Sequence, residues 1–168
     1  MPATYDSITT TTLSSGQTTI TLSNIPQTYT DLVLVVQGKT STQNVVDCAW
    51  RANGDTGNNY SGTRLVCGSG GFGTDRSSNV NGAAVICTGK EQSVGMFYFM
   101  NYSNPNIYKT CLQRSSCNIN LTNSEIYAGS TTWRNNAAIT SLDIYIPSGQ
   151  SGNFVSGMTL ALYGIKAA

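Results

Sequence analysis

The chain has 168 residues, and its nine Lys and Arg against eight Asp and Glu give a net charge of +1 with no histidine. Only 10% of the residues are charged, against about 25% in an average globular protein. That balance supplies no field to gather nucleic acid or an anionic membrane surface, and it excludes the histidine-based zinc frameworks and histidine acid-base sites.

The length predicts one domain over residues 1–168, because cores divide only beyond roughly 250–300 residues. Ser, Thr, Asn and Gly stand where charges are missing, a mixture that suits strands joined by tight turns. Residues 1–13 alternate weakly around Tyr5 and Ile8 and predict an N-terminal arm or an edge strand. Residues 18–22 alternate cleanly, with Ile20 and Leu22 on one face. Asn24-Ile25-Pro26 then turns the chain. Residues 29–37 are the most apolar stretch, with Leu32, Leu34 and Val36 opposite Val33 and Val35, the pattern of a strand covered on both sides.

Residues 45–65, VVDCAWRANGDTGNNYSGTRL, predict a β-hairpin with an elaborated tip, since Asn53-Gly54 supplies two residues that tolerate positive φ between two strand-like runs. Residues 66–89 lose the alternation and predict a long glycine-rich loop. Strand character returns over residues 93–102, where Val94, Met96, Tyr98 and Met100 oppose Phe97 and Phe99. Further strands are expected over residues 107–118, 123–133, 139–146 and 158–165. No apolar residues recur with helical period over three turns. The expectation is therefore an all-β, two-sheet antiparallel sandwich of about eight strands, a jelly roll.

Chemistry is sparse. The carboxylates Asp6, Asp31, Asp47, Asp55, Asp75, Glu91, Glu125 and Asp143 are scattered singly, with no spacing that favours an acid-base pair. Asp55, Gly57 and Asn59 fall short of a calcium loop because no closing Glu follows, and a turn held by Asx hydrogen bonds is the plainer reading. Gly68 to Gly73, GSGGFG, lacks the lysine and helix of a phosphate loop. Cys48, Cys67, Cys87, Cys111 and Cys117 show no metal spacing and predict free thiols acting as small hydrophobes. Cys111 and Cys117 share a strand face but lie about 20 Å apart, too far for a disulfide. Residues 1–16 lack the basic and apolar regions of a signal peptide, and no apolar run approaches the ~20 residues of a membrane span. No catalytic residue, metal or cofactor is expected.

Tyr5-x-x-Ile8 before Leu13-Ser14-Ser15, Leu22-Ser23-Asn24-Ile25-Pro26 with Tyr29-Thr30-Asp31-Leu32-Val33-Leu34, Asn53-Gly54-Asp55 leading to Tyr60-Ser61, and the ending Leu160-Ala161-Leu162-Tyr163-Gly164-Ile165-Lys166 run from start to finish of the chain. In their order and spacing the chain resembles small β-sandwich virion proteins of tailed bacteriophages, including phages of cyanobacteria. The resemblance implies a non-enzymatic capsid decoration or cement protein, a homo-oligomer and specifically a trimer, made in the host cytoplasm and bound on the virion surface to the major capsid protein. The alternative it implies is a tail-fibre or receptor-binding, carbohydrate-binding module, with Trp50, Trp133 and the tyrosines as stacking surfaces. The residues expected to meet a partner are Tyr5, Asp55, Asn58, Tyr60 and Trp133.

Overall fold

The computed structural model describes residues 5–42, 45–68, 70–120 and 123–166. Twelve strands make up its regular structure: β1 (Asp6–Thr12), β2 (Thr19–Leu22), β3 (Asp31–Gly38), β4 (Val46–Ala52), β5 (Tyr60–Gly68), β6 (Gly71–Val80), β7 (Ala83–Thr88), β8 (Ser93–Met100), β9 (Lys109–Asn120), β10 (Asn123–Trp133), β11 (Leu142–Tyr145) and β12 (Thr159–Ile165). They form two antiparallel sheets, one of eight strands in the order β1-β12-β3-β8-β9-β10-β5-β6 and one of four in the order β2-β11-β4-β7.

The pairing has a simple logic. β1 pairs with β12, β2 with β11, β3 with β8 and β4 with β7, so the chain runs out and back as one long ribbon. Curling that ribbon brings β12 beside β3 and β11 beside β4, and leaves alternate strands in opposite sheets. This is an eight-strand jelly roll. Two further hairpins interrupt it: β5 and β6 follow β4, while β9 and β10 follow β8. They join each other in the order β8-β9-β10-β5-β6 and widen the large sheet by four strands.

Between the sheets lies the core, drawn from the alternate positions that the sequence marks as apolar. Ile20 and Leu22, Leu32, Leu34 and Val36, Phe97 and Phe99, Leu142 and Ile144, and Leu160 and Leu162 are all buried there. Trp50 is fully buried at its centre, edge-on to Tyr60 and to Phe99, and its indole N–H donates to Thr131 Oγ1 across the sheets at 3.0 Å. Burying Trp50 with its one polar atom paired is what keeps so large a side chain favourable in the interior.

Two expectations need correction. Residues 45–65 do not form a hairpin: β4 belongs to the small sheet and β5 to the large one, so the segment arches between them. The turn chemistry is present, with Asn53 and Gly54 both at positive φ (54° and 65°) and Asp55 N–H donating to Ala52 O at 2.9 Å. Beyond it, Asp55 and Tyr60 are drawn into other contacts, and no ladder follows. The second correction concerns residues 66–89, which carry the end of β5, all of β6 and β7 rather than one loop. Gly71 and Gly73 weaken the strand signal, yet β6 gains a ladder from β5.

Of the expected arm or edge strand at residues 1–13, residues 1–4 lie outside the described residues, and β1 is an edge strand paired with the chain's own β12. Residues 139–146 reduce to a four-residue strand, because Asn53 holds the segment before it. The Asn53 side-chain oxygen accepts from Thr140 N, Thr140 Oγ1 and Ser141 N, and its amide donates to Ala138 O. Among the described residues, no helix is long and apolar enough to cross a membrane.

Candidate interaction surface

Side chains of a strand alternate between faces, so the buried Ser93, Gly95, Phe97 and Phe99 of β8 send Val94, Met96, Tyr98 and Met100 to the opposite, outer face of the large sheet. The register carries that face across four more strands. Tyr98 lies opposite Leu112 and Met96 opposite Arg114 on β9; Arg114 lies opposite Ala128 and Ser116 opposite Ile126 on β10. Ala128 in turn meets Leu65 and Ile126 meets Cys67 on β5, and Cys67 meets Phe72 on β6.

Of the nine large hydrophobic side chains exposed among the described residues, six lie on this one face: Leu65, Phe72, Val94, Met100, Leu112 and Ile126. Phe72 is 92% exposed and Ile126 59%. Scattered surface hydrophobics need no explanation, but a contiguous set on five adjacent strands marks a contact surface. Two shallow depressions of about 430 and 210 Å³ lie side by side on it, both bordered by Arg114. The Arg114 guanidinium rests over Tyr98, donating to its hydroxyl at 3.3 Å and approaching Met96 Sδ at 3.7 Å. Arg114 and Arg76 are the charged groups that β8, β9, β10, β5 and β6 place outward among the described residues. The face is therefore apolar with a mildly positive character.

The residues expected from the sequence to meet a partner sit elsewhere or have other duties. Tyr5 is half-exposed and packs edge-on to Tyr163 at 6.4 Å; Tyr163 lies opposite Val33 and Val33 opposite Tyr98, so this pair stands on the same outer face but outside these five strands, beyond β3. Asp55, Asn58, Tyr60 and Trp133 gather at the arch between the sheets. Tyr60 and Trp133 are stacked 6.4 Å apart and fully enclosed, at 0% and 1% exposure, and so offer no area to a partner in this conformation. Asp55 accepts from Trp133 Nε1 at 2.7 Å, from Gly57 N at 2.8 Å and from Asn59 Nδ2 at 3.0 Å. Burial alone would raise its carboxyl, but these three donors together hold it below its ordinary range. Asn58 is exposed, and its carbonyl accepts from Arg134 at 2.8 Å.

Six of the other seven carboxylates have local partners. Arg64 reaches Asp47 at 2.9 Å and Asp75 at 3.1 Å, Lys166 meets Asp6 at 3.1 Å, Asp143 accepts from Thr21, Asp31 from Asn101 N and Glu125 from Tyr127. No three His, Cys, Asp or Glu among the described residues converge as metal ligands do. Cys48, Cys111 and Cys117 are buried and free, and burial pushes the Cys48 thiol up to about 12, which leaves it an inert core group. Cys67 is half-buried on the outer face, and the Cys87 side chain lies outside the described residues.

A sequence signal for the outer face existed in β8. That strand is apolar at both its odd and its even positions, which demands cover on two sides, whereas the small sheet covers one. Leu112, Ile126, Leu65 and Phe72 carry no such signal, because each is an isolated hydrophobe until the register lines it up.

No known family model and no curated protein matches the chain. Among solved structures, an alginate lyase in complex with an alginate tetrasaccharide is similar at a TM-score of 0.31 and 11% identity, over 83% of this chain and 72% of that one. A likeness of that size bears on neither the activity nor the ligand of this chain.

Proposed function

We propose that the chain is a structural protein of a tailed-bacteriophage particle, a capsid decoration or cement subunit that seats on the mature shell through the outer face of its eight-stranded sheet. The observation that carries this reading is the open apolar face itself, six exposed hydrophobic side chains on five adjacent strands. Two further facts support it. The sequence resembles small virion proteins from end to end, and seven of the eight carboxylates are engaged in local hydrogen bonds and ion pairs.

The physical action is mass action. A subunit that binds the assembled lattice and not its dissociated parts stabilises the lattice by an amount set by its concentration and affinity. Five strands about 4.8 Å apart and roughly 25 Å long present a footprint on the order of 600 Å², comparable with one side of a standard protein contact. Arg114 at its centre selects a partner patch that is apolar around one carboxylate, since that pairing leaves no charge buried alone.

Particles that lack the protein should burst at lower temperature or under milder osmotic shock while adsorbing to cells normally. Adding the purified protein back should restore resistance, and adding a Leu112→Ser, Ile126→Ser double variant should not. Normal particle stability with lost adsorption would overturn the reading in favour of a receptor-binding module.

A further inference from the structure

The two sheets have four edges, and three of them are blunted. β2 is four residues long. β7 is short, carries a register shift where it pairs with β4 at Cys48 and Ala49, and lies over β9 and β10. β1 has a register shift between Ser7 and Thr9, with the Asp6–Lys166 ion pair at its start. Bulges, shortness and charge are the devices by which edges avoid pairing with other chains.

β6 is blunted least: its register shift against β5 is confined to one end, at Asn79 between Ser78 and Val80, and its two charges, Asp75 and Arg76, are of opposite sign. It is ten residues long, it contains no proline or lysine, and it pairs with β5 without a break from Ser78 opposite Ser61 to Gly71 opposite Gly68. Every residue of it is exposed or half-buried. Space around it is open: a Cβ added at Gly71 or Gly73 would meet nothing within 4 Å. Phe72, the most exposed large hydrophobic side chain among the described residues, stands on this strand. Its outer side therefore presents a row of backbone donors and acceptors with room for another strand.

We infer that β6 pairs antiparallel with β6 of a second copy, about a two-fold axis normal to the sheet at Thr74. The occupant and the register both follow from the side chains. A two-fold axis normal to the sheet keeps outer faces together, so outward residues (Phe72, Thr74, Arg76, Ser78) must lie opposite outward residues. Centring the axis on Asp75 would set two aspartates directly opposite each other, and centring it on Arg76 would set two arginines opposite, both unfavourable. Centring on Ser77 avoids these clashes but leaves Phe72 uncovered. Centring on Thr74 sets Thr74 opposite Thr74, a favourable cross-strand pair, and places Phe72 opposite Arg76 of the second copy on either side of the axis, where the guanidinium can lie on the ring. On the inner face, Asp75 then meets Gly73, which has no side chain to obstruct it.

Edge pairing of this kind is isologous and closes at two copies, whereas the trimer implied by the family resemblance needs heterologous contacts. It makes one continuous sheet of both large sheets and turns both apolar outer faces to the same side, doubling the surface available to a common partner. The pairing itself does not depend on what that partner is.

Thr74→Cys tests the register. Directly opposed residues in an antiparallel pair have Cα atoms about 4.5–5.5 Å apart, within disulfide range, whereas the two Ser78 positions would stand about 27 Å apart. Mild oxidation of Thr74→Cys should give a covalent dimer at least tenfold faster than oxidation of Ser78→Cys or of the unaltered chain, whose Cys67 serves as the background. Thr74→Lys, which opposes two ammonium groups on the axis, should halve the mass measured by light scattering while leaving the far-ultraviolet circular dichroism spectrum of the folded subunit unchanged. A single-copy mass for the unaltered chain at all concentrations would overturn the inference. So would equal crosslinking at positions 74 and 78, a trimer that does not crosslink at Thr74, or a dimer that survives Thr74→Lys.

Discussion

The inner and outer faces of the eight-stranded sheet are made from alternate residues of the same strands, yet they have opposite fates. On the inner face, Phe99 and Tyr60 meet Trp50 from the small sheet, Phe97 and Trp133 stack on those two rings, and all leave the solvent. On the outer face, Val94, Met100, Leu112 and Ile126 are comparably apolar but stay exposed. What separates them is whether a second layer exists on that side. Hydrophobic residues on a strand therefore mark a need for cover, and the molecule supplies that cover on one face only.

Substitutions on the two faces should separate stability from association. Trp50→Ala removes the hub of the inner face along with a cross-sheet hydrogen bond, and it should cost about 3–5 kcal/mol in denaturant unfolding. Lys109→Met comes next. The buried ammonium of Lys109, whose pKa burial lowers, donates to the carbonyls of Asn104, Ile107 and Asn136, so its loss should cost ~3 kcal/mol by leaving loop carbonyls unpaired.

Asp55→Ala should cost about 1–2 kcal/mol, because the buried Trp133 indole loses its acceptor. The same residue gives a pH signature. Its folded carboxyl lies below the ordinary 3.8, so its contribution is complete above that value and is lost as pH falls through the lowered one. Urea midpoints of the native chain should therefore drop in acid below about pH 4, and the drop should be smaller in Asp55→Ala. Smallest in stability is Leu112→Ser with Ile126→Ser on the outer face, expected to shift unfolding by no more than about 0.5 kcal/mol. If those two changes destabilise the isolated subunit as much as Trp50→Ala does, the outer face is part of the fold and the contrast fails.

Much of this was legible in the residues. Alternation in β2, β3, β8 and β12 points to two packed layers, and the absence of helical periodicity leaves a sandwich as the architecture. The arch of residues 53–59 was not, because an Asn-Gly turn looks the same whether the next strand returns alongside or crosses to the other sheet. Asp55 decides that by capturing Trp133, which lies 78 positions later. β6 was hidden for a related reason: a strand of Gly, Ser and Thr has little propensity of its own, and its ladder with β5 defines it.

The local chain determined which residues are strand-forming, where turns fall and which side chains prefer to leave water, since those properties belong to a few neighbouring residues. Only the folded molecule decided which apolar faces are covered, which edge is left open and which aromatic residues are structural rather than available. Those outcomes depend on contacts between segments far apart in the chain, and pairing and layering are set by the whole set of strands at once.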